Sequence, residues 1–337
     1  MSIGFTIAIP THDRRETALL AARSALAQSR GPEQLIVLCD GCGDGTAEAM
    51  RALGDERVEV VELEKGPGYA YAHRNIALER ARGEAILWLA DDDLLLPDHL
   101  RRIGKLWDTG RFDLVLSDGV VVHPDDALEH FGSDWSVPVL RAAFEQANTN
   151  PMASVSVRVE LARAIGGWDG SVERAADWDL WMRALAAGAR CAASREPTVL
   201  HFRASGREQA WPLRVRQNAA WLERIEDRAA RRELRLALRR ARGERDARVA
   251  ERIASLEQHY AAARDELDVQ GRALVAADAR VAELHERLAQ LDARHAAAEA
   301  AGAQLADKLA RIEGGGWWRL RARLLPLLRL LGRRGGG

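Results

Sequence analysis

The sequence lacks the features that mark membrane-spanning, disulfide-bonded and nucleic-acid-binding proteins. No uninterrupted apolar run reaches the length of about 20 residues that a bilayer-spanning helix needs. Three cysteines are too few for a disulfide framework and indicate a reducing compartment. A net charge of −1 gives no global attraction to nucleic acid or to a membrane. Residues 1–10 have the pattern of a strand and charged residues follow, so we expect no signal peptide.

Two of the cysteines, Cys39 and Cys42, have the spacing of a CxxC pair. Zinc needs four ligands in tight geometry, and no second cysteine pair or nearby histidine completes such a site. The pair therefore predicts neither a zinc site nor redox chemistry.

The composition changes near residue 221. Most aromatic residues, prolines and glycines lie before it, whereas Ala, Arg, Glu, Leu and Asp dominate after it. The second composition is typical of long exposed helices. We therefore expect one substantial domain followed by a helical region.

Strand and helix patterns alternate in the first half of the chain. Strands are predicted at 3–9, 35–38, 58–63 and 85–90, with further strands at 114–116 and 120–122. Helices are predicted at 16–28, 46–53, with Thr46 as its N-cap, and 69–81. This order predicts an α/β fold with a mostly parallel sheet and helices on both faces.

Polar clusters follow three of the predicted strands. They are Thr11-His12-Asp13, Asp40-Gly41 and Asp91-Asp92-Asp93. Ligands of such sheets bind beyond the carboxyl ends of the strands, so we expect these side chains to meet at one site.

The three consecutive aspartates are the strongest of these signals. Neighbouring like charges repel and cost stability unless something positive binds them. A hard divalent cation, Mg²⁺ or Mn²⁺, prefers carboxylate oxygens and often carries substrate phosphates as further ligands. The alternative is a solvated acidic loop before the next helix.

Residues 213–312 have the pattern of nearly continuous helix, and from residue 249 onward apolar positions alternate at spacings of four and three. One row is Ile253, Tyr260, Leu267, Leu274, Val281, Leu288, His295, Gly302 and Leu309. The other is Val249, Leu256, Ala263, Gln270, Ala277, Leu284, Leu291, Ala298, Leu305 and Ile312. The unbroken register predicts a left-handed coiled coil, although polar and small core residues make it marginal and leave its oligomeric state open. The alternative is a single solvated helix with i,i+4 ion pairs.

Glycines 314–316 end the helical pattern, and a different segment follows. Residues 317–331 combine paired Trp, Leu clusters and repeated Arg with no acidic residue. This composition is typical of a segment lying in a membrane interface, with Trp at headgroup depth and Arg on anionic lipid. A docking helix for a protein partner or for the chain's own domain is the alternative.

Six motifs occur in order between about residues 3 and 206. They are PTHDR at 10–14, LCDGCGDGT at 38–46, GYAYAHRN at 68–75 with ARGE at 81–84, DDD at 91–93, GGWD at 166–169 and ADWDLWMR at 176–183. Together they resemble the motifs of family 2 glycosyltransferases, which have the GT-A fold. The departures are Cys39 and Ala176, each at a position where the family usually has an acidic residue, and Ala90, where it often has one.

The resemblance implies roles for eight residues. Thr11, Asp40, Arg74 and Asp91 would contact the nucleotide, and Asp91, Asp92 and Asp93 would hold the metal. Asp177 would be the general base, and His201 would help to hold metal or diphosphate. Three of these residues have ordinary structural alternatives: Arg74 as a solvated surface arginine, Asp177 as a helix cap and His201 as a structural histidine.

The resemblance implies an inverting, metal-dependent glycosyltransferase with a nucleotide-sugar donor, UDP-linked, and a bacterial glycan or lipid-linked acceptor. We divide the chain into a GT-A domain at 1–206, a helical extension at 207–248, a coiled coil at 249–313 and a basic tail at 314–337. The tail would place the protein at the cytoplasmic face of the membrane, and the coil would allow a homo-oligomer.

Two other functions fit the chain less well. One is a non-catalytic GT-A scaffold whose coiled coil organises a membrane-associated glycan assembly complex, although a scaffold need not keep the aspartates. The other is a nucleotidyltransferase, which needs a Gly-rich basic phosphate loop that PTH at 10–12 does not supply.

Overall fold

The computed structural model describes residues 2–203 and 211–311, with side chains as far as Gln304. The predicted basic tail lies outside the described residues. The chain divides into two compact units, Met1–Glu251 and Arg252–Gly337.

The first half of unit 1 contains four parallel strands, as predicted. They are β1 (Phe5–Thr11), β2 (Gln34–Asp40), β3 (Val58–Leu63) and β4 (Ala85–Trp88), in the spatial order β3-β2-β1-β4. Strands β2 and β4 are buried along their whole length, which fits their continuous apolar sequence. Helices α1 (Arg15–Leu26), α2 (Thr46–Arg51) and α3 (Arg74–Arg80) connect them.

The second half of the sheet is mixed. It contains β5 (Leu94–Leu95), β6 (Leu114–Val122), β7 (Leu128–Phe131), β8 (Val155–Arg158) and β9 (Cys191–Phe202). The sheet continues as β4-β8-β6-β9-β5, with β7 on β6, and of these pairs only β6–β9 is parallel among the described residues. The two strands predicted at 114–116 and 120–122 form the single strand β6, which has an irregularity between Ser117 and Gly119. The α/β fold class is confirmed.

The remaining helices of unit 1 lie between or after these strands. They are α4 (His99–Trp107), α5 (Pro138–Gln146), α6 (Val159–Ala164), α7 (Ala176–Ala186) and α8 (Trp211–Glu226). Helix α9 (Arg228–Arg311) begins in unit 1.

Two helix starts differ from the prediction because of backbone conformation. The helix predicted at 69–81 is a 3₁₀ turn at Tyr71–His73 followed by α3, since Ala70 adopts a left-handed φ of 48° that an α-helix cannot include. Thr46 is not the N-cap of α2. Gly45 precedes the helix with φ of 81°, and the Thr46 hydroxyl, in the first helical residue, donates to Asp44.

The region predicted as a helical extension packs into the domain. Trp221 and Ile225 of α8 and Leu234 and Leu238 of α9 are buried in one apolar cluster with residues of β5, β6 and β9. Burial of large apolar side chains is the main favourable contribution to folding. The compact unit accordingly continues to Glu251.

In unit 2 the described residues form one continuous helix, the second part of α9. Apart from Ser255, which is partly buried, its residues are exposed as far as Gln304. No helix among the described residues has an apolar stretch of 18 residues suited to crossing a bilayer.

Candidate active site

A cleft of about 400 Å³ lies at the carboxyl ends of the parallel strands. Its lining includes residues at three strand ends: Thr11 ends β1, Asp40 ends β2 and Asp91 follows β4. Arg74 of α3 also lines the cleft. The three predicted polar clusters therefore do meet at one edge of the sheet, where α/β sheets bind ligands.

Asp40 is a buried carboxylate at the end of β2 with several donors around it. Its Oδ1 accepts from the backbone N–H of Gly66 at 2.7 Å and lies 3.1 Å from Nδ1 of His73, and its Oδ2 accepts from Lys65. Burial favours the neutral acid, but the Gly66 N–H and the Lys65 ammonium outweigh it and lower the pKa of Asp40. Asp40 is therefore an ionised acceptor at the cleft wall.

Each aspartate of the triplet meets a different cation from a different element. Arg14 Nη1 donates to Asp91 Oδ1 at 3.0 Å, and Arg214 Nη1 of α8 lies 3.5 Å from Asp92 Oδ2. His201 Nδ1 of β9 lies 3.0 Å from Asp93 Oδ1. Each carboxylate thus has its own basic partner, and these partners offset part of the predicted repulsion within the triplet.

Despite these basic partners, the carboxyls of Asp91 and Asp92 remain hard to ionise. Burial, followed by the charges of Asp93 and Asp91, raises the pKa of Asp92 to about 7. Burial also raises the pKa of Asp91, although Arg14 opposes this. Added positive charge near Asp91 and Asp92 would favour their ionised forms.

Asp93 is not among the residues that line the cleft and is almost fully buried. In addition to His201, it accepts from the backbone N–H of Phe202 at 3.1 Å. Burial lowers the pKa of His201, but Asp93 outweighs it, so the pKa of His201 is raised overall. The predicted residues Asp93 and His201 are therefore brought together as a pair.

Arg74 is a partly buried arginine without a carboxylate contact among the described residues. Its guanidinium lies 4.7 Å from the ring centre of Tyr71 and 4.5 Å from that of Trp168, and its Nη1 lies 3.1 Å from the sulfur of Met152. Burial lowers its pKa to about 10. The cation is held by two aromatic faces at the wall of the cleft, which is not the setting of a solvated surface arginine.

Asp177 lies in the first turn of α7, partly buried. Asn148 Nδ2 donates to Asp177 Oδ2 at 3.2 Å, and no side-chain capping bond is present at the start of α7. The charge of Asp177 acts on Arg74, since it partly offsets the effect of burial on the pKa of that arginine. Asp177 is not among the residues that line the described cleft.

Several residues of the site were not predicted as site residues. Arg14 and Lys65 line the cleft, and Arg214 reaches the triplet from α8. Arg14 could have been found because it adjoins the first polar cluster, and Lys65 because it follows the carboxyl end of β3. Arg214 is more than 100 residues from the triplet, and no sequence signal marks it.

The CxxC cysteines lie beside this edge of the sheet and are free thiols. Among the described residues, the group whose potential metal-ligand atoms lie within 4.8 Å of one another is Asp13, Cys42 and Asp44, not the triplet. A soft thiol with two carboxylates is a poor match for Mg²⁺ or Mn²⁺, which take oxygen ligands.

Residues 6–159 match the family model described as glycosyl transferase family 2. The chain carries a family 2 glycosyltransferase domain. This family match runs from Thr6 in β1 to the end of β8. It includes eight residues of the site: Thr11, Arg14, Asp40, Lys65, Arg74, Asp91, Asp92 and Asp93.

Curated relatives support the same family. The succinoglycan biosynthesis protein ExoO of Rhizobium meliloti is 28% identical over 215 residues, which is 59% of this chain and 60% of that protein. The glycosyltransferase YwdF of Bacillus subtilis is 28% identical over 188 residues, 53% of this chain and 67% of that protein. The chain thus spans about 60% of the length of the succinoglycan relative.

A solved structure supports the GT-A fold of this glycosyltransferase domain. The crystal structure of S. aureus TarS in complex with UDP-GlcNAc superposes with a TM-score of 0.52 at 18% identity and covers 66% of this chain and 70% of that chain. At this identity the likeness shows the fold, which here is confirmed as GT-A followed by a helical extension.

Proposed function

We propose that unit 1 transfers a sugar from a nucleotide-sugar donor to a hydroxyl group of an acceptor. The observation that carries this proposal is the cleft at three strand ends, where Thr11, Asp40 and Asp91 lie around about 400 Å³ within a family 2 domain. That volume lies at the lower end of the range for small-molecule sites. The UDP-GlcNAc complex of the structurally similar TarS supports a UDP-linked donor.

Asp40 and Thr11 would hold the nucleoside of the donor. Asp40 is ionised at neutral pH, so it can accept from an N–H of the base, and Thr11 offers a hydroxyl to a carbonyl or to the ribose. Lys65 and Arg14, which both line the cleft, can supply positive charge to a diphosphate. Arg74, whose guanidinium lies over the rings of Tyr71 and Trp168, would contact phosphate or base.

Asp91 and Asp92 fit a hard divalent cation, Mn²⁺ or Mg²⁺. Both line the cleft, both offer carboxylate oxygens, and burial raises the pKa of both, so a bound cation would favour their ionised forms. When bound, the ion would neutralise the leaving diphosphate. Asp93 would act through His201, orienting the imidazole at the same edge.

Asp177 would be the general base of a single displacement with inversion. It would accept the proton of the acceptor hydroxyl as that oxygen attacks the anomeric carbon and the diphosphate departs on the opposite side. A carboxylate suffices because the hydroxyl becomes acidic only as the new bond forms. Its position on α7, outside the residues that line the cleft, fits a role on the acceptor side.

The test is donor turnover by the full chain with a panel of UDP- and other nucleotide-linked sugars, with and without Mn²⁺. We expect hydrolysis or transfer with a UDP-linked donor, stimulation by Mn²⁺, and a 10²- to 10⁴-fold loss of turnover in Asp177→Asn, the range for general-base catalysis. Asp179→Asn, two residues later in the same helix and paired with Arg183 at 2.7 Å, is the matched control.

If the protein neither binds nor turns over any donor of the panel, the proposal is excluded and the scaffold function is left as the alternative. Equal turnover by Asp177→Asn and the unchanged chain would exclude Asp177 as the base. Stereochemistry of the product, read by NMR, tests inversion: an α-linked donor must yield a β-linked product.

The acceptor class we propose is a bacterial surface glycan or its lipid-linked precursor, made at the cytoplasmic membrane face. The named role of the R. meliloti relative in succinoglycan biosynthesis supports a glycan acceptor. Residues 314–337 would hold the protein at anionic lipid through Trp and Arg. Co-sedimentation with anionic liposomes should weaken with salt and disappear when these residues are removed; unchanged co-sedimentation would exclude the anchor.

A further inference from the structure

Unit 2 exposes an apolar seam along its helix. Between Ile253 and Leu291, α9 exposes eleven large apolar side chains, and nine of them lie on the two heptad rows. Those nine are between 49% and 73% exposed. The two exceptions are Val269 and Val275. Apolar surface concentrated on two positions in every seven is suited to burial against another helix with the same repeat.

The two flanks of the seam carry opposite charge. With the Ile253 row as position a and the Leu256 row as position d, the residues just before each a form one flank and those just after each d form the other. The first flank contains Arg252, Arg280, Arg287 and Arg294, with Glu266 as its acidic exception. The second contains Glu257, Asp278, Asp292 and Glu299, with Arg264 as its basic exception.

We propose that the seam binds a second copy of this chain in a parallel, in-register, two-stranded coiled coil. In that arrangement each residue of the basic flank meets the partner's acidic flank five residues later in sequence. Arg252 meets the partner's Glu257, Arg287 meets the partner's Asp292, and Arg294 meets the partner's Glu299. By symmetry this gives six contacts between opposite charges and none between like full charges.

The antiparallel arrangement that places Ile253 opposite the partner's Leu291 is less complementary. There the basic flank meets itself and the acidic flank meets itself. Arg252 meets the partner's Arg294, a repulsion that occurs twice, whereas the exceptions Glu266 and Arg264 supply four attractive contacts with Arg280 and Asp278. The parallel pair therefore has six attractive contacts and no repulsion, whereas the antiparallel pair has four attractive contacts and two repulsive ones.

The polar core residues favour the same orientation. In a parallel in-register pair, Gln270 faces the partner's Gln270 and His295 faces the partner's His295, so each polar side chain has a hydrogen-bonding counterpart. In the antiparallel pair Gln270 faces the partner's Leu274, and a buried amide without a partner is costly. Identical polar layers also oppose a shift of register, since a shifted helix would bury both groups against apolar residues.

Cross-linking of the full chain tests the orientation. In Leu284→Cys the two substituted side chains share one core layer of a parallel pair, and mild oxidation should give a covalent dimer. The controls are Ala279→Cys, on the outer face of the helix five residues earlier, and the unchanged chain with its three native cysteines. Both should remain uncross-linked. A dimer formed only when Leu284→Cys is mixed with Tyr260→Cys would show the antiparallel pair and overturn the proposal.

Charge exchange tests the flanks separately. Arg287→Glu with Arg294→Glu makes both flanks acidic there, and Asp292→Arg with Glu299→Arg makes both basic. By sedimentation equilibrium at low salt, each variant alone should dimerise at least about tenfold more weakly than the unchanged chain, and an equimolar mixture should recover the original affinity. A mixture no tighter than either variant alone, or an unchanged chain that is monomeric at tens of micromolar, would overturn the proposal.

Discussion

The first and second parts of helix α9 present similar apolar residues to different surroundings. Leu234, Leu238 and Ala241 are buried against the sheet of unit 1, whereas Ile253 and Leu256 are about half exposed. Both parts have spacings of three and four, which any amphipathic helix has. Spacing therefore identifies an apolar stripe and does not reveal whether its partner is the same chain.

The two stripes lie on different faces of the helix. If the heptad rows of the coil are extended backwards from Val249, they pass through Asp246, Arg242 and Arg239, which are polar. The buried stripe of Leu234 and Leu238 is offset from those rows. The shift between Ala241 and Val249 is close to the boundary between the two compact units, after Glu251.

Truncation of a leucine in each stripe should separate the two parts most clearly. Leu238→Ala should lower the free energy of unfolding of unit 1 by about 2–4 kcal/mol, because it leaves a cavity in a packed cluster. Leu274→Ala removes the same atoms from the exposed seam and should leave that unfolding transition unchanged. Urea denaturation followed by tryptophan fluorescence measures both, and equal effects of the two substitutions would show that the comparison is wrong.

Acid should affect a histidine in unit 1 far more than one on the exposed helix. Burial lowers the pKa of His99 to about 4, and its Nδ1 lies 2.9 Å from Thr198 Oγ1. The unfolded chain binds this proton near pH 6.5, so stability is lost as the pH falls from about 6.5 towards 4, by up to about 3 kcal/mol.

His99→Gln should reduce the loss of folding stability as the pH falls below about 6.5. His285→Gln, on the exposed helix, should leave that loss unchanged. Thermal unfolding between pH 7 and pH 4.5 measures the slope. A His99→Gln curve as steep as that of the unchanged chain would exclude His99 as its source.

Ion pairs of the same helix provide the smallest contrast. Arg235 of α9 pairs with the buried carboxylate of Asp98, which Arg102 also contacts at 2.5 Å. Arg235→Ala should cost about 1 kcal/mol, since Asp98 keeps its contacts with Arg102 and, at 3.4 Å, with Arg101. Arg280→Ala removes the exposed pair with Glu283 and should cost less than about 0.5 kcal/mol of unfolding free energy. Chemical denaturation of matched samples distinguishes the two, and a larger loss for Arg280→Ala would reverse the expected order.

The sequence predicted the parallel half of the sheet and the meeting of its three polar clusters because those features are local. Continuous apolar runs mark β2 and β4, and turn residues mark their ends. The two-residue strand β5 could not be predicted, since its Leu94 and Leu95 gain their strand conformation only by pairing with β9. The left-handed Ala70 is likewise invisible to helix periodicity.

The acids of the site were predictable, whereas of its basic residues only Arg74 and His201 were predicted, and those two from the family resemblance. Asp40, Asp91 and Asp92 end or follow strands, so the position of the sheet determines where they lie. The repulsion within the triplet suggested a metal ion as the positive partner, but Arg14, His201 and Arg214 also supply positive charge there. Two of those three come from elements more than 100 residues later, which only tertiary structure brings near.

The distribution of those cations along the chain has a consequence for biosynthesis. A ribosome that has added residue 159, where the family match ends, has made all three aspartates and Arg14 but neither His201 nor Arg214. Because domains fold as their chains emerge, the nascent protein would hold an incompletely neutralised acidic centre until α8 has left the exit tunnel. A truncated protein ending at residue 159 should therefore be short-lived in cells, although it contains the entire family match.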